Sequence, residues 1–326
     1  MKGAMEPSDS AYNQKILDHF LHPRNVGEIE NADGYAKIGD PNCGDFIKVW
    51  LRIENETIVD FKYKVFGCWG AISTTSVVSE LAIGKSISEA TKITDDDVVR
   101  ALGGIPENKQ HCSLLGVQGL RAALADFVLK DNHRKYAARL AQYRSMGYDI
   151  AAIREKMVSL LSDLSNGAQI LDVGCGKGHL ALAIARSGRS CISIDISDEE
   201  IYYARLNAIF FNVDDRIDLQ LQDARQLKFE SQSFDAVVSA ALFHHLIHPQ
   251  LVLNEMLRVC KSPGKIVISD LNEQGQEAVA TLHRQEGKEH VMLGWSMEQI
   301  KNWFEGKGFQ PVVFEEVGET ILCVDV

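Results

Sequence analysis

Apolar and polar residues follow two different periods along the chain. In the first third, they alternate over 46–53 and again over 57–66, which predicts an antiparallel hairpin around the polar turn 54–56. Helical spacing and end signals predict helices over 11–20, 71–83, 95–102 and 113–129. The first segment is therefore expected to be an α+β domain, with helices on a small antiparallel sheet.

From about residue 169, short apolar runs alternate with helical patterns. The predicted strands are 169–173, 191–195, 217–221, 234–239 and 266–269, followed by a closing hairpin of 310–314 and 320–324. Such alternation implies a largely parallel sheet covered by helices on both faces. We therefore expect an α/β, Rossmann-like domain of seven strands over 148–326. A charged, proline-free helical connector over 132–147 would join it to the first domain, 1–131.

Composition and charge narrow the classes of partner. The chain has 326 residues, 45% of them apolar, and its net charge of −11 divides into −5 for residues 1–131 and −6 for the rest. Neither half is basic, so a broad nucleic-acid surface is not expected. There is no apolar run long enough for a membrane helix and no signal-peptide core at the N-terminus. We therefore expect a cytoplasmic protein.

The first segment holds three loops rich in soft metal ligands. Cys43 and Asp45 share a Gly/Pro loop, Cys68 follows the second predicted strand, and His111 and Cys112 precede a helix. Thiolate and imidazole suit zinc or iron–sulfur clusters. A structural cluster usually has four Cys ligands, so this mixed set suits a cluster that is built and then released. A single Cys is more often a core residue, but coincidence is a poor explanation for three Cys beside Gly or His. Asp45 is the exception, because it could instead cap a turn.

Residues 12–130 resemble the IscU/NifU-type iron–sulfur cluster assembly scaffolds. The matching stretches occur in family order. They are Asp18-His19-Phe20, Pro23-Arg24-Asn25-Val26-Gly27, Asn42-Cys43-Gly44-Asp45, Phe66-Gly67-Cys68 and Lys109-Gln110-His111-Cys112-Ser113. The segment Ile105-Pro106-Glu107-Asn108-Lys109 departs from the family's chaperone-recognition loop, because it lacks the second proline. Trp69 replaces the small residue usual after that Cys.

The resemblance implies a function and a set of ligands for this domain. Cys43, Cys68 and Cys112 would hold a transient [2Fe–2S] cluster or iron, with Asp45 and His111 as assisting ligands, and the isolated protein could instead hold zinc. Cys112 would accept sulfur from a cysteine desulfurase. A chaperone and apo iron–sulfur proteins would be further partners. The short separation of Cys68 from Cys112 favours the scaffold branch over a zinc-binding sulfurtransferase branch.

A glycine-rich turn and two later acids form a second constellation. The run Asp172-x-Gly174-x-Gly176-x-Gly178 ends a predicted strand and opens a helix, and the glycines let a ligand approach the backbone. Asp195, followed by Ile196, ends the next strand, and Asp223-Ala224 ends the third. Ligands bind at the carboxyl ends of parallel strands, and an acid there can accept hydrogen bonds from ribose hydroxyls.

Residues 148–326 resemble class I S-adenosylmethionine-dependent methyltransferases, on these motifs and on Ser233-Phe234-Asp235-Ala236-Val237. The resemblance places Gly174 and Gly176 at the methionine part, Asp195 at the ribose and Asp223 at the adenine. Asp172 would orient the glycine loop or the amino group. A dinucleotide-binding dehydrogenase is the runner-up, but its pattern is G-x-G-x-x-G.

Two questions stay open in this second domain. Phe243-His244-His245-Leu246 resembles a segment of small-molecule methyltransferases, so His245 is a candidate base or a wall of the acceptor pocket; a structural role is equally compatible with the pattern. The methyl acceptor is a small molecule, a thiol or metal, or a protein. Cys175, Cys191, Cys260 and Cys323 are interpreted mainly as core residues.

Three hypotheses describe the whole chain. In the first, both domains work, as a cluster scaffold fused to a methyltransferase enzyme. In the second, the chain is chiefly a methyltransferase with a zinc- or sulfur-binding accessory domain. In the third, the scaffold is joined to a non-catalytic module that senses S-adenosylmethionine. The complete ligand set argues against the second hypothesis, and the intact glycine and acid set supports cofactor binding but does not separate the first hypothesis from the third.

Overall fold

The chain consists of two compact units, Met1–Asp131 and Asn132–Val326. The computed structural model describes residues 14–39, 46–106, 111–288 and 292–326, and the side chains of 111–114 are not described. Within these ranges, no helix is long and apolar enough to cross a membrane.

The first unit is built on a small antiparallel sheet, as predicted, and the sheet has one strand more than the predicted hairpin. Its elements are α1 (Gln14–Leu21), β1 (Gly34–Gly39), β2 (Phe46–Glu54), β3 (Thr57–Phe66), α2 (Trp69–Ala82), α3 (Ile87–Ala90), α4 (Asp95–Leu102) and α5 (His111–Ser145), which continues into the second unit. The strand order is β1-β2-β3. Alternate residues of the hairpin, including Ile47, Val49, Phe61 and Tyr63, are buried, because successive strand side chains point to opposite faces.

β1 was not predicted from the sequence. It is only six residues long, and a glycine stands at each end, which weakens the strand signal. Gly34 lies so close to α5 that a Cβ on it would come within 2.3 Å of the Ala123 carbonyl oxygen. The sequence lacks a strand signal here because close backbone packing requires the small residue.

The second unit contains a seven-stranded, mostly parallel sheet, which confirms the predicted Rossmann-like class. Its further elements are α6 (Ile150–Ser159), β4 (Ile170–Val173), α7 (His179–Arg186), β5 (Cys191–Asp195), α8 (Asp198–Phe210), β6 (Ile217–Leu221), β7 (Phe234–Ala240), α9 (Pro249–Val259), β8 (Cys260–Leu271), α10 (Glu273–Gln285), α11 (Met297–Glu305), β9 (Val312–Glu315) and β10 (Glu319–Asp325).

The strand order of this sheet is β6-β5-β4-β7-β8-β10-β9. β10 pairs antiparallel with β8 and with β9, and the other pairs are parallel. The order reverses between β4 and β7, and that is where an open α/β sheet forms a crevice at the carboxyl ends of its strands. The central strands β4, β5 and β7 are largely buried apolar runs, as expected for a sheet covered on both faces.

Candidate functional site

The glycine-rich turn after β4 adopts a left-handed backbone at three positions. The φ angles of Gly174, Gly176 and Gly178 are +75°, +49° and +83°. Side chains rarely tolerate this region, and a Cβ on Gly174 would also come within 2.7 Å of the Leu242 side chain. The amides of Gly174 and Cys175 both donate to the Ile194 carbonyl at 2.9 Å. The loop is therefore fixed against the end of β5.

Asp172 is a buried acid just before this turn. Its residue is 1% exposed, and its Oδ2 accepts a 2.6 Å hydrogen bond from the Ser193 hydroxyl. Its Oδ1 is buried and has no hydrogen-bond partner among the described residues. Burial raises the pKa of Asp172 to about 7. One carboxylate oxygen is thus left as an acceptor for a ligand.

Asp195 ties the glycine loop to the carboxyl end of β5. Its carboxylate accepts hydrogen bonds from the backbone amides of Gly176 and Ser197, each at 2.9 Å. Each oxygen retains a second lone pair, because a carboxylate offers about four acceptor positions. The neighbouring Ile196 is 66% exposed at the same strand end.

Asp223, just after β6, is bound by a neighbouring cation. The Arg225 guanidinium donates to it at 2.7 Å from Nη2, and the Arg225 amide donates at 2.9 Å. These bonds hold the pKa of Asp223 below its usual value. The expected adenine contact would have to compete with Arg225.

Two adjoining cavities bring most of these residues together. One, of about 480 Å³, is lined by residues that include Asp172, Gly174, Gly176 and Asp195. The other, of about 360 Å³, is lined by residues that include Asp195, Ile196, Asp223 and Ala224. The two share Gly174, Asp195, Leu242 and His245. Gly178 lines neither; it caps α7, and a Cβ on it would come within 3.2 Å of the Ala204 Cβ.

The two adjacent histidines after β7 differ in their surroundings. His244 is 3% exposed; its Nδ1 bonds the Asp270 carboxylate, and its amide donates to Asp270 Oδ2 at 2.9 Å. His245 is exposed and lines both cavities. The ring centroids lie 3.9 Å apart. Asp270, on β8, was not identified from the sequence, where it lacks a motif.

A buried ion pair that the sequence did not reveal borders the larger cavity. Arg154 of α6 donates to both carboxylate oxygens of Glu319 on β10, at 2.6 and 2.8 Å. The Tyr148 hydroxyl also bonds Glu319. Burial alone raises the pKa of Glu319, but Arg154 beside it holds that pKa below its usual value. Arg154 and Tyr148 both line the cavity, so this network fixes its wall.

In the first unit, the open end of the β2–β3 hairpin is close in sequence to two of the predicted cluster ligands. Phe46 pairs with Phe66 in the register, and their rings stack at 4.5 Å. Phe46 follows Cys43 by three residues in the sequence, and Phe66 precedes Cys68 by two. Cys68 is half-buried and occupies the N-cap of α2.

Four of the five predicted cluster ligands cannot be located by their side chains. Cys43 and Asp45 lie outside the described residues, as does Lys109 of the chaperone-loop segment. His111 and Cys112 are the first two residues of α5, but their side chains are not described. Among the described residues, no group of three or more His, Cys, Asp or Glu could hold a metal ion.

The four remaining cysteines lie in the second unit, where Cys175, Cys191 and Cys260 are buried and Cys323 is half-buried. Burial raises the pKa of the thiols of Cys191 and Cys323 and raises that of Cys260 to about 12. These thiols are therefore protonated and poor nucleophiles at neutral pH.

Comparisons with known proteins divide the chain in the same way. Residues 11–134 match the family described as NifU-like N terminal domain, and residues 164–312 match the family described as Methyltransferase domain. The iron-sulfur cluster assembly scaffold protein IscU 1 of Archaeoglobus fulgidus is 48% identical over 120 residues, which are 37% of this chain and 78% of that protein. The iron-sulfur cluster assembly scaffold protein IscU of Escherichia coli is 40% identical over 124 residues, which are 37% of this chain and 96% of that protein.

Solved structures resemble the second unit with lower sequence identity. A SAM-dependent methyltransferase from Aquifex aeolicus covers 51% of this chain and 87% of its own, with 18% identity and a TM-score of 0.41. The match to a geranyl diphosphate methyltransferase in complex with SAM covers 55% of this chain and 85% of that chain, with 15% identity and a TM-score of 0.43.

The family assignment rests on the sequence matches of the N-terminal part of this chain. These matches cover most of the length of each relative. The second match falls on the unit that has the seven-stranded sheet and the glycine-rich turn. The chain belongs to the IscU/NifU family of iron–sulfur cluster assembly scaffolds, joined in one polypeptide to a methyltransferase domain.

Proposed function

We propose that the second unit binds S-adenosylmethionine in the two adjoining cavities and transfers its methyl group. The observation that carries this proposal is that Asp172, a residue of the larger cavity's lining, has a buried Oδ1 with no partner among the described residues. A buried acceptor without a donor is unfavourable, and the ammonium group of the methionine part would satisfy it. Gly174 and Gly176 line the same cavity and have no side chains to fill it.

The other predicted cofactor contacts follow from the same cavities. Asp195 has acceptor positions left for ribose hydroxyls while it holds Gly176 and Ser197. Ile196 and Ala224 line the smaller cavity, where the adenine would lie between strand ends. Asp223 would accept the adenine amino group by giving up part of its contact with Arg225.

The protein's contribution to the chemistry is chiefly placement. When bound, S-adenosylmethionine supplies an electrophilic methyl group on sulfur, and the carbon–sulfur electron pair stays on sulfur as the acceptor bonds the methyl carbon. The cavity walls fix the line of approach, and this alignment lowers the barrier. His245, which lines both cavities, would take the proton from a protonated acceptor.

Substitution of Asp195 tests cofactor binding. Asp195→Ala removes a charged acceptor and the anchor of Gly176, so the dissociation constant for S-adenosylmethionine should rise by about 10- to 100-fold, as for other hydrogen bonds to charged groups. Calorimetry measures this directly. Asp218→Ala is the matched control, since Asp218 is exposed on β6 and lines neither cavity. Equal affinity in wild type and Asp195→Ala would remove Asp195 from the site.

We infer that the first unit assembles a transient [2Fe–2S] cluster as its cargo. Cys43, Cys68 and Cys112 would hold it, with Asp45 and His111 as assisting ligands and Cys112 as acceptor of sulfur from a cysteine desulfurase. A chaperone and apo iron–sulfur proteins would be later partners. Family membership supports this proposal, as does the register that ends β3 two residues before Cys68 and begins β2 three residues after Cys43.

Loss of one ligand tests the cluster proposal. After anaerobic incubation with iron and sulfide, the wild-type chain should gain visible absorption that Cys68→Ser lacks or shows only weakly. Cys323→Ser, a half-buried cysteine of the other unit, should keep it. A colourless wild-type protein that holds zinc alone would favour the accessory-domain hypothesis instead.

A further inference from the structure

Two groups of elements on the lining of the larger cavity differ in their charged side chains, and α6 and the segment after β7 contribute further lining residues. β4, β5 and α8 provide Asp172, Asp195 and Glu200, the acidic residues of the lining, and the glycine turn between β4 and α7 adds Lys177. The second group comes from α5 and α10 and includes Arg139, Tyr143, Val279 and His283. None of the residues assigned to the cofactor lies on these two helices. The second group therefore belongs to the part of the cavity that remains for the acceptor.

Arg139 is held in place by contacts on two sides. Its Nη2 bonds the Glu286 carboxylate just beyond α10, and its guanidinium lies 5.9 Å from the centre of the Tyr143 ring. Tyr143 in turn packs edge-on against Tyr148, with centroids 5.3 Å apart. A guanidinium restrained in this way loses little further freedom when it binds a ligand.

The other terminal nitrogen of Arg139 is available as a donor. Nη1 is buried and has no hydrogen-bond partner among the described residues. A buried N–H group without an acceptor is unfavourable, and a negatively charged oxygen is its best partner. The residue lines the cavity, so a ligand there can supply that oxygen.

The charges of the two groups differ in sign. A cationic sulfonium cofactor suits the acidic group of Asp172, Asp195 and Glu200. Among the described lining residues from α5 and α10 there is no Asp or Glu, and Arg139 is their one guanidinium. Since Arg139 is already paired with Glu286, one remaining donor edge suits a monoanion better than a dianion.

We propose that the methyl acceptor is a small molecule with a carboxylate, which Arg139 binds through Nη1. The inference rests on the proposed methyltransferase function and names the substrate class of the same site. The cavity of about 480 Å³ also has to hold part of the cofactor, so the acceptor is small. Arg139 is a specificity-determining residue in this account, and Glu286 and Tyr143 position it.

The test compares ligands that differ only in the carboxylate. The full chain is first titrated with S-adenosylmethionine by calorimetry, and absence of binding there contradicts the proposed function itself. The chain saturated with S-adenosylhomocysteine is then titrated with 3-mercaptopropionate and 3-mercaptopropan-1-ol, and with 4-hydroxyphenylacetate and its alcohol. At least one carboxylate should bind about tenfold or more tightly than its alcohol, as expected for a charged hydrogen bond.

Variants assign that preference to Arg139. Arg139→Gln should remove it while the affinity for S-adenosylmethionine stays unchanged, which also shows that the variant is folded. Arg134→Gln is the matched control on the same helix, because Arg134 is exposed and absent from the cavity lining. Glu286→Gln, which removes the competing carboxylate, should keep or increase the preference. If neither carboxylate binds more tightly than its alcohol, or if the preference persists in Arg139→Gln, the proposal is wrong.

Discussion

Asp172 shows how one residue can serve both the fold and the site. It is buried behind the glycine turn, where Ser193 satisfies one of its oxygens and the other has no partner among the described residues. A buried carboxylate is unfavourable in its charged form, which is why its pKa is raised to about 7. The proposed ammonium contact would favour the charged form again.

The affinity for S-adenosylmethionine should therefore depend on pH. As the pH falls through about 7, Asp172 takes up a proton in the free protein, and binding of a cationic amino group has to displace it. The dissociation constant should rise by roughly tenfold for each pH unit below that pKa. Calorimetry between about pH 7.5 and about pH 5.5 measures the slope.

Asp172→Asn is the control for this pH dependence. The amide has the same shape and does not titrate, so its binding should be weaker and nearly independent of pH over the same range. An unchanged slope in Asp172→Asn would assign the titration to another group.

At the scale of elements, the turn between β4 and α7 depends on glycine for two separable reasons. Gly174 needs a positive φ, and it also has no room for a Cβ beside Leu242, which lines both cavities. Gly188, after α7, has a φ of +92°, but a Cβ added to it would meet no other atom within 4 Å. The two positions thus separate backbone strain from steric exclusion.

Gly174→Ala and Gly188→Ala should both lower the free energy of unfolding by about 1–2 kcal/mol, because both place a side chain in the left-handed region. Only Gly174→Ala should also weaken S-adenosylmethionine binding, by about tenfold or more, since its Cβ displaces Leu242 at the cavity wall. Denaturant unfolding and calorimetry measure the two effects. Equal binding by both variants would show that the wall at Leu242 does not shape the site.

The elements also show what the sequence can and cannot predict. The alternation of apolar and polar residues predicts β2 and β3, and the closely spaced glycines predict the turn between β4 and α7. The strand β1 is not predicted from the sequence, because close packing against α5 requires glycine at position 34, and glycine has little strand propensity. The ion pair of Arg154 and Glu319 is not predicted either, since its partners are 165 residues apart and neither lies in a local motif. Asp270 and Arg139 are unpredictable for the same reason.

At the scale of the whole molecule, the chain joins an IscU/NifU-type unit to a methyltransferase unit. The helix α5 contributes residues to both: it begins at the predicted ligands His111 and Cys112, and its residues Arg139 and Tyr143 line the larger cavity of the second unit. The central claim is that one polypeptide carries a cluster scaffold and a cofactor site together.

One measurement tests that claim directly. The full chain is incubated anaerobically with iron, sulfide and S-adenosylmethionine and passed through a gel-filtration column, and the protein peak is analysed for all three. The protein peak should contain iron and sulfide in equal amounts together with S-adenosylmethionine. A peak that holds zinc without sulfide, or that lacks S-adenosylmethionine, would contradict it.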